Sequence, residues 1–214
     1  MSEILLPKQS EYLEKFIKNG SSIIVEMETY AKENKVPILA KDSSILLEQL
    51  IILLKPGRIL ELGTAIAYSS VRMANCLGKN GIVHTIEKSK DNIKIARKNI
   101  KKAGLEDKIN IFEGNALDIL PGLDTKYDFV FLDADKTDYK LLFEYSLALL
   151  KKDGVIFVDN LLWHGFAAAA KVPDSYKESA GVIREFNEMF MSSPELKTSI
   201  LPVGDGIGIG IKIK

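Results

Sequence analysis

The residues with the most chemistry to offer sit at the ends of apolar runs. In "YDFVFLDADKTDY" (Tyr127 to Tyr139) the run Phe129–Leu132 gives way to Asp133, Asp135, Lys136 and Asp138. In "GVIFVDNLLWHG" a second run ends at Asp159 and Asn160. Two carboxylates and an amide oxygen form an all-oxygen ligand set, which suits Mg²⁺ with positions left for water and substrate. Zinc is not expected, because neither His84 nor His164 has a partner at ligand spacing and Cys76 stands alone. Three more runs end in polar residues. "LELGTAIAYSS" carries Glu61 and Gly63, "HTIEKS" carries Glu87, and "EGNAL" carries Asn115 and Ala116. A single glycine with Ala65, Ala67 and Tyr68 behind it would crowd a pyrophosphate, so a nucleoside ligand without one is the better fit. Glu61 would suit an amino or sulfonium group. Glu87 follows Gly63 at near the roughly 20-residue spacing of an acid that binds ribose hydroxyls. Asn115 and Ala116 are placed to edge an adenine.

These residues can meet only if the runs are neighbouring strands. The first 55 residues read as helices. "SEYLEKFIKNG" sets Tyr12, Leu13, Phe16 and Ile17 on one face and stops at Gly20. "SSIIVEMETYAKEN" follows behind a serine cap, and "KDSSILLEQLIILL" behind Asp42 or Ser43. From Arg58 strands and helices alternate: "RILEL", "SSVRMANCLG", "IVHTI", "SKDNIKIARKNIKKAG" (capped near Ser89, closed at Gly104), "INIFEG", "ALDIL", "YDFVFLD", "DYKLLFEYSLALL" and "GVIFVD". Such alternation predicts a parallel sheet covered on both faces. A helix at "AGVIREFNEMFMSS" precedes "KTSILPV" and "GIGIGIKIK", two strands parted by "GDG" and expected to pair as an antiparallel hairpin. The expected fold is an α/β, seven-stranded, doubly wound sheet with a C-terminal hairpin and N-terminal helices. One domain over 1–214 is expected, with 1–55 as its helical cap. In doubly wound sheets ligands lie beyond the carboxyl ends of the strands, where all the residues above fall.

Composition narrows the function. Hydrophobic residues make up 46% and charged residues 27%, an ordinary globular balance. Lys plus Arg equals Asp plus Glu at 29 each, so no overall basic field draws nucleic acid. One cysteine, no basic leader before a long apolar run, and no run beyond "LIILL" point to a cytoplasmic protein without a membrane span. "DADKT" also fits the Asp-x-Asp-x-Thr nucleophile motif of haloacid-dehalogenase-type phosphatases. That motif belongs on the first strand of a sheet, whereas here it falls on the fourth, and "GDGIG" lacks the further acid. A nucleotide-dependent oxidoreductase would want Gly-x-Gly-x-x-Gly. A non-catalytic nucleoside-binding protein would have no use for an intact metal set.

Taken together, "ILELGTAIAYSS", "TIEKS", "EGNA", "YDFVFLDADKTDY", "GVIFVDNLLWHG" and "ILPVGDGIGIGIK" resemble the Mg²⁺-dependent class I O-methyltransferases, the group of the catechol and caffeoyl-CoA enzymes and their bacterial relatives. The resemblance runs from about Val36 to the C-terminus. It implies a Rossmann-like methyltransferase fold and S-adenosylmethionine (SAM) as methyl donor. It implies Asp133, Asp159 and Asn160 as metal ligands, and a SAM site of Val36, Ile38, Glu61, Gly63, Ser69, Glu87, Asn115, Ala116 and Asp133. It makes Lys136 the catalytic base, a lysine whose neutral form a nearby dication favours. The alternative for Lys136 is a surface lysine paired with Asp138. Two departures from the family pattern are Ala67, where glycine is usual, and Asn115, where aspartate is usual. Trp163 is placed to gate an acceptor pocket or to pack. The chain also looks like the bacterial tRNA 5-hydroxyuridine methyltransferases of this family. The expected acceptor is therefore tRNA, with Lys171, Lys177 and Arg184 as a phosphate track, or else a small catechol-like or caffeoyl-CoA-like molecule. A homodimer is expected, and the apolar stripe of the N-terminal helices allows them either to cap the acceptor site or to pair with the second subunit.

Overall fold

The computed structural model describes residues 7–214. The leader reading rests in part on residues 1–6, which lie outside the described residues. Three helices come first: α1 (Pro7–Glu14), α2 (Ser22–Asn34) and α3 (Lys41–Leu54). The alternating part follows as β1 (Arg58–Leu62), α4 (Tyr68–Cys76), β2 (Ile82–Glu87), α5 (Lys90–Ala103) and β3 (Ile109–Glu113). It continues as α6 (Ala116–Ile119), β4 (Tyr127–Leu132), α7 (Tyr139–Leu149) and β5 (Leu150–Val158). The chain closes with α8 (Lys177–Ser192), β6 (Leu196–Leu201) and β7 (Ile207–Lys212).

The seven strands form one sheet in the order β3-β2-β1-β4-β5-β7-β6. β1 to β5 pair in parallel, and β7 runs antiparallel to both β5 and β6. This is the doubly wound sheet with a terminal hairpin that the alternation predicts. The central strands read as unbroken apolar runs because both faces are covered. Phe129 and Phe131 of β4 join Ile59 and Val83 in the core on one face, together with Met27, Leu47 and Ile51 of α2 and α3. Val130 and Leu132 join Leu60, Leu62, Ile156 and Val158 on the other, beneath Phe143, Phe186 and Phe190. β1 has β2 on one side and β4 on the other, so the loops leaving β1 and β4 diverge and open a crevice there.

Helix ends follow the sequence where local chemistry decides them. Ser89 caps α5 by accepting from Asn92 N at 3.3 Å, and Gly104 closes that helix in the left-handed region. Distant contacts decide otherwise at α3, whose cap is Ala40 and not Asp42 or Ser43. Asp42 lies inside the first turn, where its carboxylate suits the helix dipole. Its Oδ2 accepts from Gly204 N at 3.0 Å. Ser21 stands at the cap of α2, but its side chain makes no cap bond. α1 ends at Glu14 rather than near Gly20. Tyr12 and Phe16 of the expected stripe remain 59% and 65% exposed and meet edge to face, so little burial supports another turn. Among the described residues no helix is long and apolar enough to cross a membrane.

Candidate active site

A cleft of about 430 Å³ opens at the carboxyl ends of the parallel strands. Its wall includes Ile38, Gly63, Glu87, Asn115, Ala116, Asp133, Lys136, Asp159, Asn160 and Trp163. At the end of β1, Gly63 has φ +105°, and a Cβ there would lie 2.0 Å from the Asp133 carbonyl oxygen. The glycine is thus required by the chain leaving β4, apart from any ligand. Glu87 lies on the wall and ties two loops together, with Oε2 accepting from Ala65 N and Oε1 from Ser89 N, each at 2.8 Å. Asn115 caps α6 by accepting from Leu117 N at 3.0 Å. Ala67 holds a left-handed conformation (φ 66°) at the start of α4. For an alanine this costs about 1 kcal/mol, which is the physical content of the missing glycine.

Three residues expected at the cofactor do not line this cleft. Glu61 and Ser69 lie beneath the Gly63 turn and bond to each other. Both Glu61 oxygens accept hydroxyl donors, one from Ser69 and one from Ser70. Burial pushes the Glu61 carboxyl up to about 7, against the serine hydrogen bonds that favour its ionised form. Val36 packs against the core and faces a separate groove lined by α2 residues, on the far side of Ile38. A strand-end position shows that a residue is near the cleft, but not whether its side chain points in or down.

The acidic residues at the ends of β4 and β5 lie close together. β4 and β5 are neighbours with Leu132 opposite Val158, so Asp133 and Asp159 follow side by side. Asp159 is 5% exposed. Burial and then the charge of Asp133 push its carboxyl up to about 8, while the Asn160 N–H and Lys136 oppose this. Lys136 is turned into the corner rather than toward Asp138. Its Nζ donates to Asn160 Oδ1 at 2.7 Å, to Asp133 Oδ1 at 3.3 Å, and to the Tyr139 hydroxyl. The same ammonium lies 4.4 Å from the Tyr139 ring centroid and 5.5 Å from that of Trp163. Burial and the surrounding carboxylates raise the Tyr139 hydroxyl well above its ordinary range, so it stays protonated. Asp135 is drawn away into an ion pair with Lys88.

The segment after β5 frames the corner. Trp163 donates through Nε1 to Ser179 Oγ at 2.8 Å and joins His164, Phe166 and Tyr176 in an aromatic cluster beside Lys136. Arg184 stays exposed but is engaged on one side within the protein. Its guanidinium donates to the carbonyls of Phe166, Ala167 and Ala169 at 2.8 to 2.9 Å and so holds this segment against α8. Lys177 pairs with Asp174 at 2.6 Å on the surface. Asp205 is a residue the sequence reading missed. It lies in the turn between β6 and β7 and accepts from His164 N at 2.7 Å. Its only signal was an acid inside "GDG", which reads as turn chemistry.

A nucleoside-sized cleft at the switch point of a doubly wound sheet, with carboxylates on consecutive strand ends, defines a Rossmann-like transferase. The chain matches the profile of the O-methyltransferase family over residues 10–213 and belongs to that family. It is a SAM-dependent O-methyltransferase. Among curated proteins, the caffeoyl-CoA O-methyltransferase of Populus kitakamiensis is 36% identical over 174 residues, covering 78% of this chain and 74% of that protein. Among solved structures, a Staphylococcus aureus protein provisionally named as a caffeoyl-CoA O-methyltransferase has TM-score 0.89 and 33% identity, with 95% of this chain and 99% of that one covered. A Bacillus cereus O-methyltransferase in complex with SAH has TM-score 0.83 and 27% identity, with 94% and 96% covered.

Proposed function

We propose that this enzyme transfers the methyl group of SAM to a hydroxyl oxygen that has a second oxygen beside it on a planar ring. The observation that carries this reading is the corner where Asp133, Asp159 and Asn160 meet. No group of three or more His, Cys, Asp or Glu placed for a metal occurs among the described residues. The donor set is two carboxylates and an amide oxygen, which suits Mg²⁺ and does not suit a softer metal. The set fits the ion for a second reason. Burial is the main cause that raises Asp159, but the charge of Asp133 adds to it, and a dication would relieve that repulsion. Bound there, Mg²⁺ would supply Lewis acidity toward the acceptor hydroxyl and a template for two adjacent oxygens.

The remaining roles fall to this chain's own groups. Ile38, Gly63, Glu87, Asn115, Ala116 and Asp133 form the SAM wall, with Glu87 holding the ribose hydroxyls. Glu61 and Ser69 support that wall from beneath. Lys136 is the base for the acceptor proton, and Tyr139, Asn160 and Trp163 keep its Nζ in the corner. The aromatic cluster of Trp163, Phe166 and Tyr176 receives the planar ring. The bond that forms is oxygen to methyl carbon, the bond that breaks is methyl carbon to sulfur, and the departing thioether is neutral. A cytoplasmic setting goes with this reading, resting on the free thiol of Cys76. So does pairing of two copies through the apolar surface of α3 and the segment after α1, where Ile52, Leu53 and Phe16 are exposed.

Within this acceptor class the first reading is 5-hydroxyuridine in tRNA, whose 5-hydroxyl and 4-carbonyl are the two oxygens. The second is a caffeoyl-CoA-like catechol, supported by the names of the relatives and by the engagement of Arg184 within the protein. The test is purified enzyme with SAM and Mg²⁺, offered hydroxylated tRNA or caffeoyl-CoA at matched concentration. Either product supports the chemistry, and the ratio assigns the acceptor. Asp159→Ala should abolish turnover while the fold persists, and Lys136→Met should lower it by about 10²–10⁴-fold with SAM affinity kept. Turnover undiminished in EDTA sinks the metal reading.

A further inference from the structure

We propose that Ser179 is a positioning residue for the methyl acceptor, which acts by fixing the indole of Trp163 at the cleft. This rests on the reading that the aromatic cluster receives the acceptor ring. Trp163 lies on the cleft wall, and the Lys136 ammonium stands over its ring, 5.5 Å from the centroid. An indole presents one face to a bound ring only while its plane is held. Something must therefore stop it from turning about the bonds to its own backbone.

The segment from Asn160 to His164 does not hold itself. Asn160, Trp163 and His164 have φ of 65°, 47° and 56°, a disfavoured region for side chains of this size. The segment is held from outside, by α8. Ala180, Ile183, Phe186 and Phe190 are buried, and they fix the rotation of that helix. Polar residues beside this apolar face then reach the segment at separate points. Asn187 donates to Leu161 O at 2.8 Å, and Arg184 to the carbonyls of Phe166, Ala167 and Ala169. Both of these residues grip backbone. Ser179 grips a side chain.

Trp163 Nε1 donates to Ser179 Oγ at 2.8 Å. Ser179 lies in the first turn of α8, where a serine readily bonds back to the carbonyl three residues earlier. Its Oγ donates to Tyr176 O at 3.2 Å. Donor and acceptor chemistry fixes both directions. A carbonyl only accepts and an indole nitrogen only donates, so the hydroxyl proton goes to Tyr176 O and a lone pair is left for Trp163. The rings of His164 and Tyr176 flank the indole with centroids 5.2 and 6.4 Å away. Ring contacts of this kind tolerate a range of tilts, whereas a hydrogen bond weakens steeply off line. The bond to Ser179 therefore sets the plane.

The test is steady-state kinetics with the acceptor that wild type methylates, caffeoyl-CoA or hydroxylated tRNA, at saturating SAM and Mg²⁺. Ser179→Ala should raise the acceptor KM about 3–10-fold, the scale of one neutral hydrogen bond, with kcat within about two-fold. The KM for SAM and the unfolding temperature should stay near those of wild type. Ser179→Thr keeps the hydroxyl and should restore the acceptor KM. Trp163 is the single tryptophan of the chain, so its fluorescence anisotropy reads this ring directly. It should fall in Ser179→Ala and recover in Ser179→Thr. Trp163→Phe has no N–H to hold, so adding Ser179→Ala to it should change the acceptor KM by less than about two-fold. A full Ser179→Ala effect in that background overturns the inference, because Ser179 would then act through Tyr176 O. Unchanged anisotropy in Ser179→Ala overturns it too, and leaves the acceptor reading standing. A fall in anisotropy with an unchanged acceptor KM overturns the reading of the cluster as the acceptor wall, and this inference with it. So does methylation of neither acceptor by wild type.

Discussion

Glu61 and Glu87 sit at the ends of adjacent strands and do different work with the same side chain. Glu87 stays near solvent and accepts two backbone N–H bonds, which leaves lone pairs facing the cleft. Glu61 is fully buried, meets the hydroxyls of Ser69, Ser70 and Thr85, and is pushed from 4.5 up to about 7. The sign of the consequence is set by burial. The folded state holds the Glu61 proton more tightly than the unfolded state, so raising the pH from about 4.5 to about 7 weakens folding, and above that the loss is complete. Glu61→Gln cannot ionise. In the protein without ligands, the stability difference between variant and wild type should move in favour of Gln by up to about 3 kcal/mol over that window. Urea unfolding at pH 5 and pH 8 measures it, and a difference that stays constant refutes it. Glu87→Ala should act on binding instead, weakening SAM by about 1.5–3 kcal/mol, roughly ten- to over a hundred-fold. Unchanged SAM affinity in calorimetry would move the ribose elsewhere.

The elements were legible wherever the deciding contacts were local or repeated. Strand runs such as Phe129–Leu132 are apolar throughout because two helical layers cover them, and the sequence carries that directly. Ser89 and Gly104 mark α5 because a cap is a bond within one turn. Asp133 and Asp159 were found because parallel neighbours bring successive strand ends together. The misses share one cause, contacts between segments far apart in the chain. Asp42 lies one residue inside α3 and is engaged across 162 positions by Gly204 N, which periodicity does not show. Arg184 reaches the carbonyls of residues 166–169, and Asp205 reaches His164. Glu61 points down rather than into the cleft, and periodicity near a strand end does not say so. Gly63 was read as a ligand feature, yet its tightest contact is the Asp133 carbonyl of the next strand. Gly63→Ala should therefore fail as a fold before it fails as a site. A φ of +105° and a Cβ 2.0 Å from backbone oxygen should together cost about 3 kcal/mol or more, with β4 pushed outward. Thermal unfolding should show a drop of several degrees in the absence of any ligand. A variant as stable as wild type that has lost only SAM affinity would restore the ligand explanation.

At the scale of the whole molecule, charge decides which acceptor can be drawn in. Positive and negative residues balance at 29 each, so a polyanion meets no long-range attraction. A tRNA must then be held by a short local track and by the ring that enters the aromatic cluster. Counting only the side chains that no backbone carbonyl engages, the track expected from the sequence is Lys171 and Lys177, the latter sharing its charge with Asp174. Two phosphate contacts on an unpaired strand give a slope of roughly −1.4 for affinity against salt on logarithmic axes, because each contact releases about 0.7 counterion. Turnover of hydroxylated tRNA below saturation should therefore fall about seven-fold between 50 and 200 mM salt. A small uncharged catechol releases no counterions, and its turnover should change less than about two-fold over the same range. Replacing Lys171 and Lys177 by glutamate should depress the tRNA reaction and flatten its salt slope, while the catechol reaction stays as it was. Both lysines lie outside the cleft wall, so the comparison separates recruitment from chemistry. Methylation of tRNA that is indifferent to salt and to both lysines would place the recruiting surface elsewhere. Efficient turnover of the small acceptor with no methylation of tRNA at any salt would assign the enzyme to the caffeoyl-CoA-like reading.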